Sequence, residues 1–179
     1  LRSYSFWIAQ DKDVQEQVER QLLQAGFQPE KPFVVLHPGA SDPYKCWPKD
    51  RFIEVGRRLK QEDFEIIIVT GPSEAELGRE VAKGIPTALD FSGKTTLLEL
   101  TALLKKSRLL ISNDSGPVHV AVAVGTPVLS IFGRSQPGLG PERWRPLGPH
   151  DRYLCAQSLT AISADEVLKE ALAILETQK

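Results

Sequence analysis

Five short runs rich in Val, Leu, Ile and Phe recur along the chain, and a stretch with helical periodicity lies downstream of each. They are FVVLH at 33–37, EIIIVT at 65–70, ALDF at 88–91, RLLIS at 108–112 and PVLSIF at 127–132. Each is too continuously apolar for a strand that shows one face to water, so each belongs in a sheet covered on both sides. Alternation of these strands with helices at 49–61, 74–83, 96–106, 117–124 and 164–176 predicts an α/β fold, a Rossmann-like doubly wound parallel sheet. A first helix over 14–25, with Val14, Val18 and Leu22 on one stripe and Gly26 as its stop, precedes the sheet. Helix starts of the form Ser/Thr-x-x-Glu occur at Ser73 with Glu76, Thr96 with Glu99 and Ser163 with Glu166, and Asp13 with Glu16 offers an acidic version. Residues 134–150, rich in Pro and Gly and without periodicity, read as an ordered loop or crossover.

Length and charge narrow the partners. With 179 residues the chain suits one well-buried domain. A formal net charge of -1 leaves no uniform basic field for nucleic acid or an anionic membrane, so an anionic ligand must be held locally. No apolar run approaches the roughly 20 residues that span a bilayer, and the start shows no signal peptide. Cys46 and Cys155 form neither a CxxC pair nor a disulfide framework, which suits a reducing compartment, and Cys46 reads as an incidental loop cysteine. The chain contains no methionine, not even at position 1, which reads as an excised piece. Residues 1–10, LRSYSFWIAQ, then look like a strand or linker cut from something larger.

In open parallel sheets ligands bind beyond the carboxyl ends of the strands, so the loops leaving those ends should carry the chemistry. The segment LLISNDSGPVHVAVAVG, 109–125, runs from strand through a polar elbow into a buried helix. Gly116 is suited to the N-cap and Pro117 to the first helical position. Free N–H groups at such a helix start favour a phosphate, and Asp114, Ser115 and His119 add polar groups within about one turn. Taken singly, Asp114 or Ser115 reads more readily as a helix cap, and His119 as a core histidine; the cluster of three favours the ligand reading. After the first strand, HPGASDPYKCWP offers Gly39 for close approach, Ser41 as a donor and Lys45 as a mobile cation, a set that suits phosphate. Lys45 alone also reads as a surface lysine, and Trp47 with Pro48 as the loop's anchor. Glu74, in GPSE after the second strand, is either a partner for ribose hydroxyls or a solvent-facing glutamate favoured by the helix dipole. Two common phosphate motifs fail. The first strand lacks a following G-x-G-x-x-G, and ALDFSGKTT matches a P-loop only at Gly93, Lys94 and Thr95, with Ala88 where the first glycine should be.

Together HPGAS-x3-K-x-WP, GPSE, GKTTLLEL and NDSGPVHVAVAVGTPVLSIFG resemble the carboxyl-terminal domain of the family 9 glycosyltransferases, the lipopolysaccharide heptosyltransferases, from about residue 30 onward. The resemblance implies a GT-B enzyme of two Rossmann-like domains, with residues 1–30 a linker strand and helix, 31–179 the donor-binding domain, and the acceptor-binding amino-terminal domain absent from this chain. It implies that Ser41 and Lys45 contact the diphosphate of an ADP-heptose donor and that Glu74 holds the ribose. The backbone near Thr95 would line the adenine pocket, Asp114 would meet sugar hydroxyls, and Ser115, Gly116 and His119 would close around the phosphates. Lys45 would stabilise the leaving group, with the catalytic base in the absent half. No metal and no tightly bound cofactor are implied. The acceptor would be the lipopolysaccharide inner core, the location cytoplasmic at the inner membrane face with peripheral association of the full-length enzyme, and the isolated chain would be inactive in transfer. The family often carries Pro-Thr after the FG turn where this chain has Arg134 and Ser135, so contacts from that turn are not carried over. A non-catalytic nucleotide-binding module and another GT-B enzyme such as a nucleotide-sugar epimerase are the alternatives. The epimerase would need its own acid and base, with only His37, His119 and scattered carboxylates to draw on.

Overall fold

A computed structural model describes residues 12–133 and 140–178. Six strands form one sheet: β1 (Phe33–His37), β2 (Glu65–Ile68), β3 (Leu89–Asp90), β4 (Leu109–Asn113), β5 (Val128–Phe132) and β6 (Arg152–Cys155). Their order is β3-β2-β1-β4-β5-β6, and every pairing is parallel. Helices cover both faces: α1 (Lys12–Gln24), α2 (Lys49–Gln61), α3 (Ala75–Gly84), α4 (Leu97–Lys106), α5 (Gly116–Val124), the short α6 (Pro141–Trp144) and α7 (Ala164–Glu176).

The continuous apolar runs explain this layering, because alternate residues of one strand feed two cores. Val34, Leu36, Ile66, Ile68, Leu109, Ile111 and Ile131 pack with α2, α3 and α7. Val35, Ile67, Leu110 and Val128 pack with α1, α4 and α5. α1 is also tied to α4 by polar contacts, since Gln17 and Gln21 both donate to the carboxylate of Glu99, at 2.9 and 3.1 Å. The same carboxylate completes the capping box of α4 with Thr96, and Ser163 with Glu166 does the same for α7. Thr96→Ala should therefore cost about 1 kcal/mol in urea unfolding. A change within experimental error would mean that Glu99 holds the helix start unaided.

Several local expectations need correction. Ser73 and Glu76 form no capping box: Pro72 opens a 3-10 turn, Pro72–Glu74, that delays α3, so Glu74 takes its N-cap position and Glu76 pairs with Arg79 at 2.6 Å. Asp13 lies inside the first turn of α1, and Glu16 pairs with Arg20. Ser115, not Gly116, is the N-cap of α5, which moves Pro117 one place further in. The strand expected at 88–91 is only Leu89–Asp90, and the one at 65–70 stops at Ile68. β6 has no counterpart in the sequence reading, because three of its four residues are exposed and it carries no apolar run. It lies beyond the loop expected at 134–150, whose second half contains α6. The expectations for residues 1–10, for Arg134 and Ser135, and for the first half of that loop lie outside the described residues.

Candidate functional site

The chain changes direction across the sheet between β1 and β4, which lie side by side. β1 leads to α2 on one face and β4 leads to α5 on the other, so the two outgoing loops part and leave a crevice between them. Strand alternation decides which side chains serve it. His37 and Ser112, paired in register, turn to the α5 face, while Asn113 turns to the α2 face.

Asn113 is wholly buried and acts as a clasp. Its Nδ2 donates to the Pro38 carbonyl at 2.7 Å and its Oδ1 accepts from the Trp47 backbone N–H at 2.9 Å, so both ends of the β1–α2 loop are held at the end of β4. Trp47, 1% exposed, donates its indole N–H to the Ile162 carbonyl at 3.0 Å and meets Phe52 edge-on at 5.0 Å. That is the anchor expected of it. Between clasp and anchor, Asp42 caps a 3-10 turn, Pro43–Lys45, by accepting from the Tyr44 N–H at 2.9 Å. The turn aims Lys45 at Asp114, with Nζ 2.7 Å from Oδ2. Cys46 beside it has its thiol pushed up by burial, so the neighbouring lysine does not make it a reactive thiolate.

The start of α5 is unusual for a serine-capped helix. The Ser115 hydroxyl makes no cap bond and lies instead 2.9 Å from Ser112 Oγ and 3.3 Å from His37 Nδ1. Pro117 has no N–H, and Val118 N–H reaches the Ser115 carbonyl at 3.2 Å. The N–H groups of Ser115 and Gly116 are left without partners among the described residues, at the positive end of a helix. Such a pair invites an anion. His37 is 5% exposed, and burial, opposed by hydrogen bonds to the backbone of His37 and Gly39, lowers its pKa to about 4. It is neutral at physiological pH.

The remaining expected residues lie along the same edge. Glu74 is half-buried between the loops that follow β1 and β2: a Cβ on Gly39 would stand 3.2 Å from its Cγ, and one on Gly71 only 2.8 Å from its Oε2. The solvent-facing reading of Glu74 does not describe this position. Gly93, at φ +69°, packs against Pro72 and Ala75 and brings the loop of Thr95 beside the Glu74 turn. Lys94 folds back on Asp90, reaching its carbonyl at 2.7 Å, which closes the P-loop reading. Ser41 is exposed just before Asp42. His119 is exposed on α5, and its ring contact is Trp144 of α6, 5.9 Å away, rather than the Lys45–Asp114 pair. That corrects the core-histidine reading. Among the described residues no group of three His, Cys, Asp or Glu could hold a metal ion.

Thr95, Glu74, Ser41 with Lys45, and Asp114 with Ser115 and Gly116 thus follow the ends of β3, β2, β1 and β4 in spatial order. Three inter-strand steps set the strand ends that carry the outer two of these groups about 14 Å apart along the sheet edge. Asn113, Ser112 and the placement of His37 escaped the sequence reading. Only strand parity across a known β1–β4 pairing would have revealed them.

Fold and crevice together define a doubly wound α/β domain with a lysine–aspartate pair and a helix start at its switch point. The chain belongs to glycosyltransferase family 9 (heptosyltransferase), whose family model matches residues 5–171, reaching further toward the amino terminus than the motifs do. Lipopolysaccharide heptosyltransferase 3 of Escherichia coli (strain K12) is 38% identical over 118 residues, which are 64% of this chain and 33% of that protein. Among solved structures, the glycosyl transferase family 9 protein from Veillonella parvula DSM 2008 aligns with a TM-score of 0.88 at 24% identity, covering 98% of this chain and 55% of that one. The E. coli ADP-heptose lps heptosyltransferase II aligns at 0.82 and 24% identity, covering 99% and 56%. The chain therefore spans about a third of the curated relative's length and just over half of each solved structure.

Proposed function

We propose that this chain is the donor-binding half of a heptosyltransferase that transfers heptose from ADP-heptose to a lipopolysaccharide core acceptor. The observation that carries the reading is the Lys45–Asp114 pair set beside two unpartnered N–H groups at the α5 terminus. In transfer, an acceptor hydroxyl gives its proton to the catalytic base, its oxygen attacks the anomeric carbon, the bond from that carbon to the phosphate oxygen breaks, and ADP departs with the electron pair. Lys45 and the amides of Ser115 and Gly116 stabilise that developing negative charge, a preorganised effect of about 3 kcal/mol per donor in favourable cases. Asp114 holds Lys45 in place before the donor arrives and then accepts from sugar hydroxyls. Glu74 takes the ribose hydroxyls, Ser41 and the exposed His119 close on the diphosphate, and the backbone near Thr95 lines the adenine site.

The partition at residue 30 belongs to the same proposal, with the acceptor and the catalytic base assigned to a preceding domain that the chain does not contain. So do cytoplasmic location and contact of the full-length enzyme with the inner membrane face. No described helix is long and apolar enough to cross a membrane.

Calorimetric titration of the chain with ADP tests the reading. Lys45→Ala should weaken ADP binding about ten- to hundredfold, the range for a charge-assisted hydrogen bond to phosphate, while the unfolding midpoint stays within error. Equal affinity in both proteins would remove the diphosphate from this crevice, and measurable heptosyl transfer by the chain alone would contradict the assignment of the base elsewhere.

A further inference from the structure

Along α5, GPVHVAVAV, His119 is the one residue with a polar side chain, and it is exposed. It makes no hydrogen bond and no ion pair among the described residues, so the helix does not need it for packing. Helix geometry gives its place. Every Cα–Cβ bond tilts toward the helix start, so a side chain leans over the residues three and four positions before its own. For His119 those are Gly116 and Ser115, whose N–H groups have no partner among the described residues. A Cβ built on Gly116 would meet nothing within 4 Å, so the space beside those amides is open there and the imidazole borders it. A ring on an exposed helix surface ordinarily moves among rotamers, and ordering it on a ligand costs free energy. Here the ring has a neighbour, the indole of Trp144, met edge-on with centroids 5.9 Å apart. The indole is itself held. Trp144 stands on α6, which opens with the buried Pro141 and is followed by the buried Pro146, and the Arg143 guanidinium lies 5.1 Å from its ring centroid.

We propose that Trp144 is a positioning residue of this site: its indole holds the His119 imidazole beside the open first turn of α5, in place for the diphosphate before a donor arrives. Trp144 acts through His119. The inference rests on the diphosphate reading for its functional half, while its structural half, the restraint on the imidazole, is independent of any ligand.

The experiment combines both halves on the whole chain, at one pH well above the ordinary histidine range. The imidazole proton resonances of His119 are followed by NMR, and ADP affinity by calorimetry, in the parent chain, Trp144→Leu, Trp144→Phe, His119→Ala and the His119→Ala, Trp144→Leu double variant. The signals missing from His119→Ala assign the resonances. In the parent the ring current of the indole displaces them from those of the exposed His150. Trp144→Leu keeps an apolar side chain but no ring, so the resonances move to the His150 position and ADP affinity falls about two- to tenfold, the strength of one aromatic pair. Trp144→Phe keeps a ring and retains most of both. In the His119→Ala background Trp144→Leu has no further effect, because no imidazole remains to be held. Resonances that Trp144→Leu leaves in place, or a loss of affinity that is equal in both backgrounds, overturn the inference. So does full ADP affinity in His119→Ala while Lys45→Ala still weakens binding, and the diphosphate reading then stands without His119. If the parent chain binds no ADP, the diphosphate reading fails, and the resonances still decide whether Trp144 holds the ring. Should Trp144→Leu not fold, the parent and Trp144→Phe make the same decision: a displacement that shrinks with the smaller ring current of phenylalanine supports the role, and parent resonances at the His150 position refute it.

Discussion

Replacing Trp47 with alanine is expected to lower the unfolding free energy by about 3–5 kcal/mol, the range for deleting a fully buried large aromatic side chain. Trp47 is 1% exposed, so no solvent path relieves the cavity it would leave. Two further losses add to the cavity. The edge contact with Phe52 disappears, and the Ile162 carbonyl loses the indole N–H, keeping only the guanidinium of Arg51. The effect should also reach the site, because the Trp47 backbone N–H is one end of the Asn113 clasp and the loop it closes carries Lys45. ADP affinity should therefore fall even at temperatures where the variant stays folded. Trp47→Phe separates the two causes, since it refills most of the cavity and leaves one acceptor weaker. Urea unfolding with an unchanged slope gives the stability, and titration with ADP gives the site. Full affinity in a destabilised Trp47→Ala would show that Asn113 alone holds the loop.

Acid should destabilise the chain in a window set by His37. Its folded pKa is about 4, against an ordinary value of 6.5. Between those values the unfolded chain binds a proton that the folded chain refuses, so stability is fully present above pH 6.5 and is lost as pH falls toward 4. The loss should total about 3 kcal/mol, at 1.36 kcal/mol per unit of displacement. The carboxyls of Glu99, Glu166 and Asp90 sit below their ordinary ranges through hydrogen bonds to helix caps and to the Ser92 and Lys94 groups. Their stabilising effect is present above those ordinary values and is lost lower in the pH range. The Asp151 carboxyl, raised by burial, works in the opposite direction. Urea midpoints from pH 7 to pH 4 in the parent chain and in His37→Asn isolate the histidine, because the carboxylate contributions cancel in the difference. Parallel curves would show that His37 is protonated in the folded chain at pH 5.

The difference between what was legible and what was not follows sequence distance. Thr96 with Glu99 and Ser163 with Glu166 lie three residues apart, and their capping boxes formed as their spacing suggested. Ser73 with Glu76 has the same spacing and failed, because Pro72 started a 3-10 turn first. β6 went unseen because an edge strand needs no apolar run when one side of it faces water. Glu74 could be singled out as an acid without a structural task, but its seat against Gly39 and Gly71 required two loops to meet.

By itself, the order of apolar runs and helical periods determined an α/β parallel sheet, and the polar elbow after the fourth run determined where a helix start faces the strand ends. Those are local facts, set by side-chain periodicity and by the unpaired N–H groups that every helix start must carry. Only the tertiary structure brought Lys45 to Asp114, closed Asn113 on the Trp47 loop and turned Ser115 toward His37. Each of those pairs spans more than sixty positions, |i−j| of 69, 66 and 78, and exists because β1 and β4 pair at the sheet's centre. Hydrogen bonds of that kind are directional and short-ranged, so no pattern along one strand can announce a partner that arrives from another.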